Sequence, residues 1–76
     1  MMYDLIYCNN RAEYLKTMES MREIFGIDNI RSASDDIHPF RFEVEVGLDR
    51  EEYFGKLPAH VKHLSFAFRM RGGDGR

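Results

Sequence analysis

Two segments of the chain alternate strictly between apolar and polar positions: Phe40-Arg41-Phe42-Glu43-Val44-Glu45-Val46 and Leu64-Ser65-Phe66-Ala67-Phe68-Arg69-Met70. Successive side chains of a strand point to opposite faces, so each segment is a strand with one buried face and one wet one. Met2 to Cys8 is short and rich in aromatic and aliphatic residues, with Tyr3, Leu5 and Tyr7 on one face and Asp4, Ile6 and Cys8 on the other. Apolar groups on both faces predict a central strand, and Leu5 is assigned to the core. Asn29 to Ser34 has few β-branched residues and predicts a weaker edge strand.

The period changes to that of a helix after Asn10. Tyr14, Met18, Met21 and Phe25 recur at helical spacing, Leu15 and Ile24 widen the stripe, and Arg11, Lys16, Glu19, Arg22 and Glu23 take the outer side. Asn10 with Glu13 three residues on reads as a capping box. Gly26 is placed to end the helix in a left-handed conformation, with Ile27 folding back over the last turn. A second helix is announced by Asp49 and Glu52, with Leu48 clipping onto Tyr53 as a staple. Gly55 and Pro58 predict its end after about two turns. Ala59 to His63 then reads as an extended lead into the last strand, and Asp35-Asp36-Ile37-His38-Pro39 as a turn-rich loop.

The resulting order is strand, helix, strand, strand, helix, strand over residues 2–70. It resembles the ferredoxin-like split βαβ sandwich, an α+β fold in which two helices cover one face of a four-stranded antiparallel sheet. The expected core is Leu5, Leu15, Met18, Met21, Phe25, Phe42, Val44, Val46, Phe66 and Phe68. The glycine-rich segment 71–76 is expected to be a frayed tail.

Composition sets limits on function. Seventy-six residues make one small domain with a thin core. No run approaches the ~18–20 apolar residues that cross a bilayer. The first residues carry no basic stretch ahead of an apolar one, so no secretory signal is expected. The single cysteine, Cys8, excludes an internal disulfide. These features together predict a cytoplasmic protein. The net charge of -2 conceals a segregation: eight acids face three arginines between Asp28 and Glu52, whereas bases exceed acids by four from Tyr53 onward. An acidic side and a basic edge follow if the two segments occupy different surfaces.

Candidate chemistry is sparse. An RNA-recognition module would show aromatic and basic groups on its open central strands, whereas this strand shows Arg41, Glu43 and Glu45, whose carboxylates repel phosphates. Metal transfer on this fold uses paired thiolates, and Cys8 stands alone. His60 and His63, three apart in a segment read as extended, point to opposite sides, so no metal site is expected. Cys8-Asn9-Asn10-Arg11 has no glycine to let the backbone close around an anion. The carboxylate pairs occupy turn, open-face and cap positions, where nothing drives their pKa values apart as acid–base catalysis requires. The chain is therefore read as non-catalytic, with no cofactor. Phe68-Arg69-Met70-Arg71-Gly72-Gly73 resembles the Arg-Leu-Arg-Gly-Gly ending of ubiquitin, which implies conjugation after processing, but a helix directly after one strand is not the order of a β-grasp fold.

Recognition of another macromolecule remains. A very small α/β chain with segregated charge and no catalytic constellation resembles, as a class, the phage-encoded inhibitors that include anti-CRISPR proteins. That resemblance implies binding to a larger protein, and the acidic segment between Asp28 and Glu52 adds the expectation that the partner itself binds nucleic acid, with Asp35, Asp36, Glu43, Glu45, Glu51 and Glu52 standing in for phosphates. The alternative expectation is a homodimeric domain resembling ACT-like amino-acid-sensing modules, with sheets paired edge to edge and a small molecule at the seam.

Overall fold

The computed structural model describes residues 2–47 and 49–70. Its elements are β1 (Met2–Tyr7), α1 (Arg11–Phe25), β2 (Ile30–Ser32), β3 (Arg41–Val46), α2 (Arg50–Lys56) and β4 (Ser65–Met70), with 3-10 turns at Ile27–Asn29 and Val61–His63. The strands form one antiparallel sheet in the order β2-β3-β1-β4, with two helices, a small α+β arrangement consistent with the ferredoxin-like βαβ pattern. β1 is central: Met2 lies opposite Val46 on one side and Met70 on the other.

Side-chain alternation decides which face is dry. Phe42, Val44 and Val46 of β3 are buried, as the pattern of that strand predicts. In the observed register these residues share a face with Asp4 and Ile6 of β1, which are also buried. Leu5 therefore lies on the opposite, uncovered face, and its assignment to the core is corrected. Leu15 is corrected as well: it is 49% exposed, because α1 turns Met18 and Met21 toward the sheet. The core is completed by Ile30, Tyr53, Leu57, Val61 and Leu64, with Phe25, Phe66 and Phe68 packed against it. Truncating a ring as enclosed as Phe42 to alanine costs about 3–5 kcal/mol.

Both helices start as their sequences announce. Asn10 Oδ1 accepts from the Glu13 amide at 2.8 Å, and Asp49 Oδ1 accepts from the Glu52 amide at 2.9 Å. The Glu13 carboxylate reaches one residue further back than in the usual box, accepting from the Asn9 amide at 2.7 Å. Gly26 ends α1 with φ +96°, but its ψ of 143° is extended rather than left-handed helical. Ile27 consequently points outward, 69% exposed, and does not fold back over the helix. Asn29 closes the end instead, donating Nδ2 to the Phe25 carbonyl at 2.6 Å.

Three boundaries differ from the sequence expectation. β2 is only three residues long, because Ile27–Asn29 forms a turn and the chain after Ser32 is held by Arg41. α2 continues through Gly55 to Lys56. The segment before β4 is a 3-10 turn rather than extended, and this curl is what lets Val61 enter the core while His60 and His63 stay exposed. The staple residue Leu48 and the segment 71–76, with its ubiquitin-like ending, lie outside the described residues.

Candidate functional site

Among the described residues no helix covers the second face of the sheet, and its side chains form rows fixed by the strand register. Glu45, Tyr3 and Arg69 make one row; Arg31, Glu43, Leu5 and Ala67 the next; Arg41, Tyr7 and Ser65 the third. Down the middle runs an apolar strip of Tyr3, Leu5 and Tyr7 from β1 with Ala67 beside it, all half-buried among their neighbours. Charged groups flank the strip on both sides.

The flanking charges are largely committed to partners. Arg31 Nη2 donates to Glu45 Oε1 at 2.8 Å across β2 and β3, so Glu45, expected as one of the acids of the contact surface, already holds an arginine of its own chain. Arg41 organises the opposite corner. Its Nε donates to the Ala33 carbonyl at 2.9 Å, its Nη2 to Asp35 Oδ2 at 3.0 Å, and its guanidinium sits 5.7 Å from the centre of the Tyr7 ring. The His38 ring packs edge-on against Tyr7 at 5.0 Å. Asp35 Oδ1 accepts from the amides of Ile37 at 3.0 Å and His38 at 2.6 Å. These amide bonds, His38 first, and the Arg41 charge hold the Asp35 carboxyl below its ordinary range.

The six acids predicted as a contact surface are thus divided. Glu43 and Glu45 lie on the open face, Asp35 and Asp36 in the β2–β3 loop, and Glu51 and Glu52 in the first turn of α2, on the helical layer. Asp36, Glu51 and Glu52 are exposed; Asp35 is structurally engaged with its own loop.

A second polar feature lies inside the molecule. Asp4 is wholly buried between the sheet and α2, and its Oδ2 accepts from the Tyr53 hydroxyl at 2.7 Å. Oδ1 makes no full hydrogen bond. Burial raises the Asp4 pKa to about 6, tempered by the Tyr53 hydroxyl, the Ala67 amide and the Arg50 charge. Around this pair lies an aromatic cluster: Tyr53 contacts Phe25 and Phe68, Phe54 contacts Phe66 and Phe68, and Arg50 stacks 4.4 Å from the Phe68 ring centre. Cys8 is half-buried, and burial followed by the nearby Glu13 carboxylate pushes its thiol up to about 11. A thiol held in that range is a poor nucleophile.

Sequence reasoning missed the Tyr3-Leu5-Tyr7 strip as surface and Asp4 as interior. One signal for the second was present: an acid in the middle of an apolar strand, in phase with Ile6 and Cys8. Among the described residues no group of three or more His, Cys, Asp or Glu side chains is placed to hold a metal ion, and no helix is long and apolar enough to cross a membrane. Comparison with protein-family models, curated proteins and solved structures finds no match.

Proposed function

We propose that this chain is a non-catalytic binding module, an inhibitor or regulator that grips a larger protein with the open face of its sheet. The observation that supports the reading is the arrangement of that face: an apolar centre of Tyr3, Leu5, Tyr7 and Ala67 inside a border of Arg31, Glu43, Glu45, Arg41 and Arg69. Protein-recognition surfaces are built in this way, with aromatic anchors at the centre and charges at the rim that set orientation. Stacking of nucleic-acid bases is less well served. Tyr7 is already covered by Arg41 and His38, and two carboxylates lie beside the strip.

The partner is a protein with a complementary apolar patch. Glu43 on the face and the exposed Asp36 in the β2–β3 loop favour one whose surface is basic, as that of a nucleic-acid-binding protein is, whereas Glu51 and Glu52 lie on the helical layer away from this contact. Affinity capture from the native host or its prey cell, with the native chain beside two variants, tests this. Leu5→Lys should abolish capture of a specific protein that Glu51→Lys/Glu52→Lys, changed on the helical layer, leaves bound. Capture indifferent to Leu5→Lys overturns the reading. Retention in about 0.5 M salt, where screening acts within a few ångströms, would remove the phosphate-mimicking role of the acids.

A further inference from the structure

The two edges of the sheet are built differently. β2 has three residues, and the chain beyond it is closed off by side chains: Arg41 donates to the Ala33 carbonyl, Ser34 Oγ donates to the Arg41 carbonyl at 3.1 Å, and Tyr14 of α1 donates to Ser32 Oγ at 2.9 Å. β4 runs for six residues and pairs with β1 on one side. Its other side offers a row of alternating backbone donors and acceptors with no strand beside it among the described residues. Soluble proteins blunt such an edge with proline, lysine, a bulge or a cover. Ser65–Met70 contains neither proline nor lysine, its one charged residue, Arg69, lies near the end of the strand, and it pairs with β1 in unbroken register. Its flank is aromatic: Phe66 and Phe68 are half-buried, Phe54 packs edge-on against both, and Met70 is 69% exposed.

We propose that β4 is a dimerisation edge, pairing antiparallel with β4 of a second copy of this chain about a two-fold axis at Ala67 to make one continuous eight-stranded sheet. The side chains are self-complementary in that register. On the helical side Phe66 faces Phe68 of the other copy, twice, forming cross-strand aromatic pairs. On the open side Arg69 faces Ser65, whose hydroxyl accepts from the guanidinium. The two Arg69 side chains start four residues apart along the strands, about 13 Å, so like charges do not meet. Moving the axis to Arg69 would set the two guanidinium groups against each other, and moving it to Phe68 would leave Arg69 opposite Ala67 with no acceptor. A two-fold interface uses the same patch twice, which this short sequence permits.

The inference is separable from the open-face reading, because it rests on the outer backbone edge of β4 and is read by mass rather than by capture, although Ala67 and Arg69 border both surfaces. It would place two open faces side by side on one sheet. Sedimentation equilibrium of the full chain tests it: the expected mass is twice the 9.0 kDa of the chain. Ala67→Lys brings two ammonium groups together at the axis and should return the protein to the single-chain mass with an unchanged circular dichroism spectrum. Cysteine placement gives a second readout that does not depend on that variant folding. Directly opposed residues of an antiparallel pair are about 4.5–5.5 Å apart at Cα, within disulfide range. Cys8→Ala/Ala67→Cys should therefore oxidise to a covalent dimer, and Cys8→Ala/Ser65→Cys should not. A single-chain mass at every concentration, a dimer that Ala67→Lys leaves intact, or crosslinking at position 65 in preference to 67 overturns the proposal.

Discussion

The Tyr53 hydroxyl donates to the Asp4 carboxylate at 2.7 Å, joining residues 49 positions apart and fixing α2 to the central strand through the middle of the core. The bond stands in for the water that a buried acid has lost. Tyr53→Phe keeps the ring and removes the donor, so an acid already short of partners loses its best one. The expected loss is about 1–3 kcal/mol of stability, the cost of a buried polar group left unsatisfied, read as a lower urea midpoint with unchanged slope.

The same pair makes stability depend on pH. The folded protein holds the Asp4 proton until about pH 6, whereas 3.8 is its ordinary pKa. The folded state therefore binds more protons across that interval, and stability falls as pH rises through it. The contribution is fully present below about pH 4 and gone above about pH 6. Asp35 and Asp49, whose pKa values are lowered by amide hydrogen bonds, act in the opposite sense at more acid pH. Urea midpoints across pH 3.5–7 for the native chain and Asp4→Asn separate the two effects. The variant should lack the decline between pH 4 and 6; a decline of equal size in both chains would remove Asp4 as its cause.

Gly26 is the one described residue with positive φ, and its φ/ψ combination belongs to a region almost reserved for glycine. A Cβ there would meet only Asn29 Nδ2 at 3.5 Å, an ordinary contact. Gly26→Ala should thus cost about 1–3 kcal/mol through backbone strain rather than collision. Thermal unfolding checks this, and Asn29→Ala combined with it should not relieve the loss.

The Arg31–Glu45 pair spans two strands on the open face, with side chains 52% and 25% exposed. At such exposure a double-mutant cycle with Arg31→Ala and Glu45→Ala should return a coupling of about 0.2–1 kcal/mol that shrinks with added salt. A coupling near zero at low salt would release Glu45 for contact with a partner.

Cys8 should alkylate slowly at pH 8, with its rate rising toward pH 11 rather than levelling off near 9. A pH–rate profile with a maleimide or haloacetamide measures this directly. Full reactivity near neutral pH would mean that β1 and the start of α1 open readily.

The element order was legible because each long element carries its own periodicity: α1 through Tyr14, Met18 and Met21, and β3 through Phe42, Val44 and Val46. Capping by Asn10 and Asp49 was legible too, since it is local chemistry. The face of β1 was not. Tyr3, Leu5 and Tyr7 outweigh Ile6 and Asp4 in hydrophobicity, so composition favours the wrong side. The choice is made by register with β3, where Ile6 meets Phe42 and Asp4 meets Val44, and by a tyrosine 49 residues away that satisfies the acid. The division of the six acids was hidden for the same reason: segment charge says which residues are negative, but only the fold says that Arg31 and Arg41 lie against Glu45 and Asp35.

The place of β1 between β3 and β4 has a consequence for how the molecule is made. Met2 pairs with Met70, and every residue of β1 waits for partners supplied by the second half of the chain. When synthesis has reached residue 40, α1 and the two strands β1 and β2 are present, but β3, with which both strands pair, is not. Assembly is therefore expected to come late and as a single event, at a pace set by closing these long-range contacts rather than by forming α1.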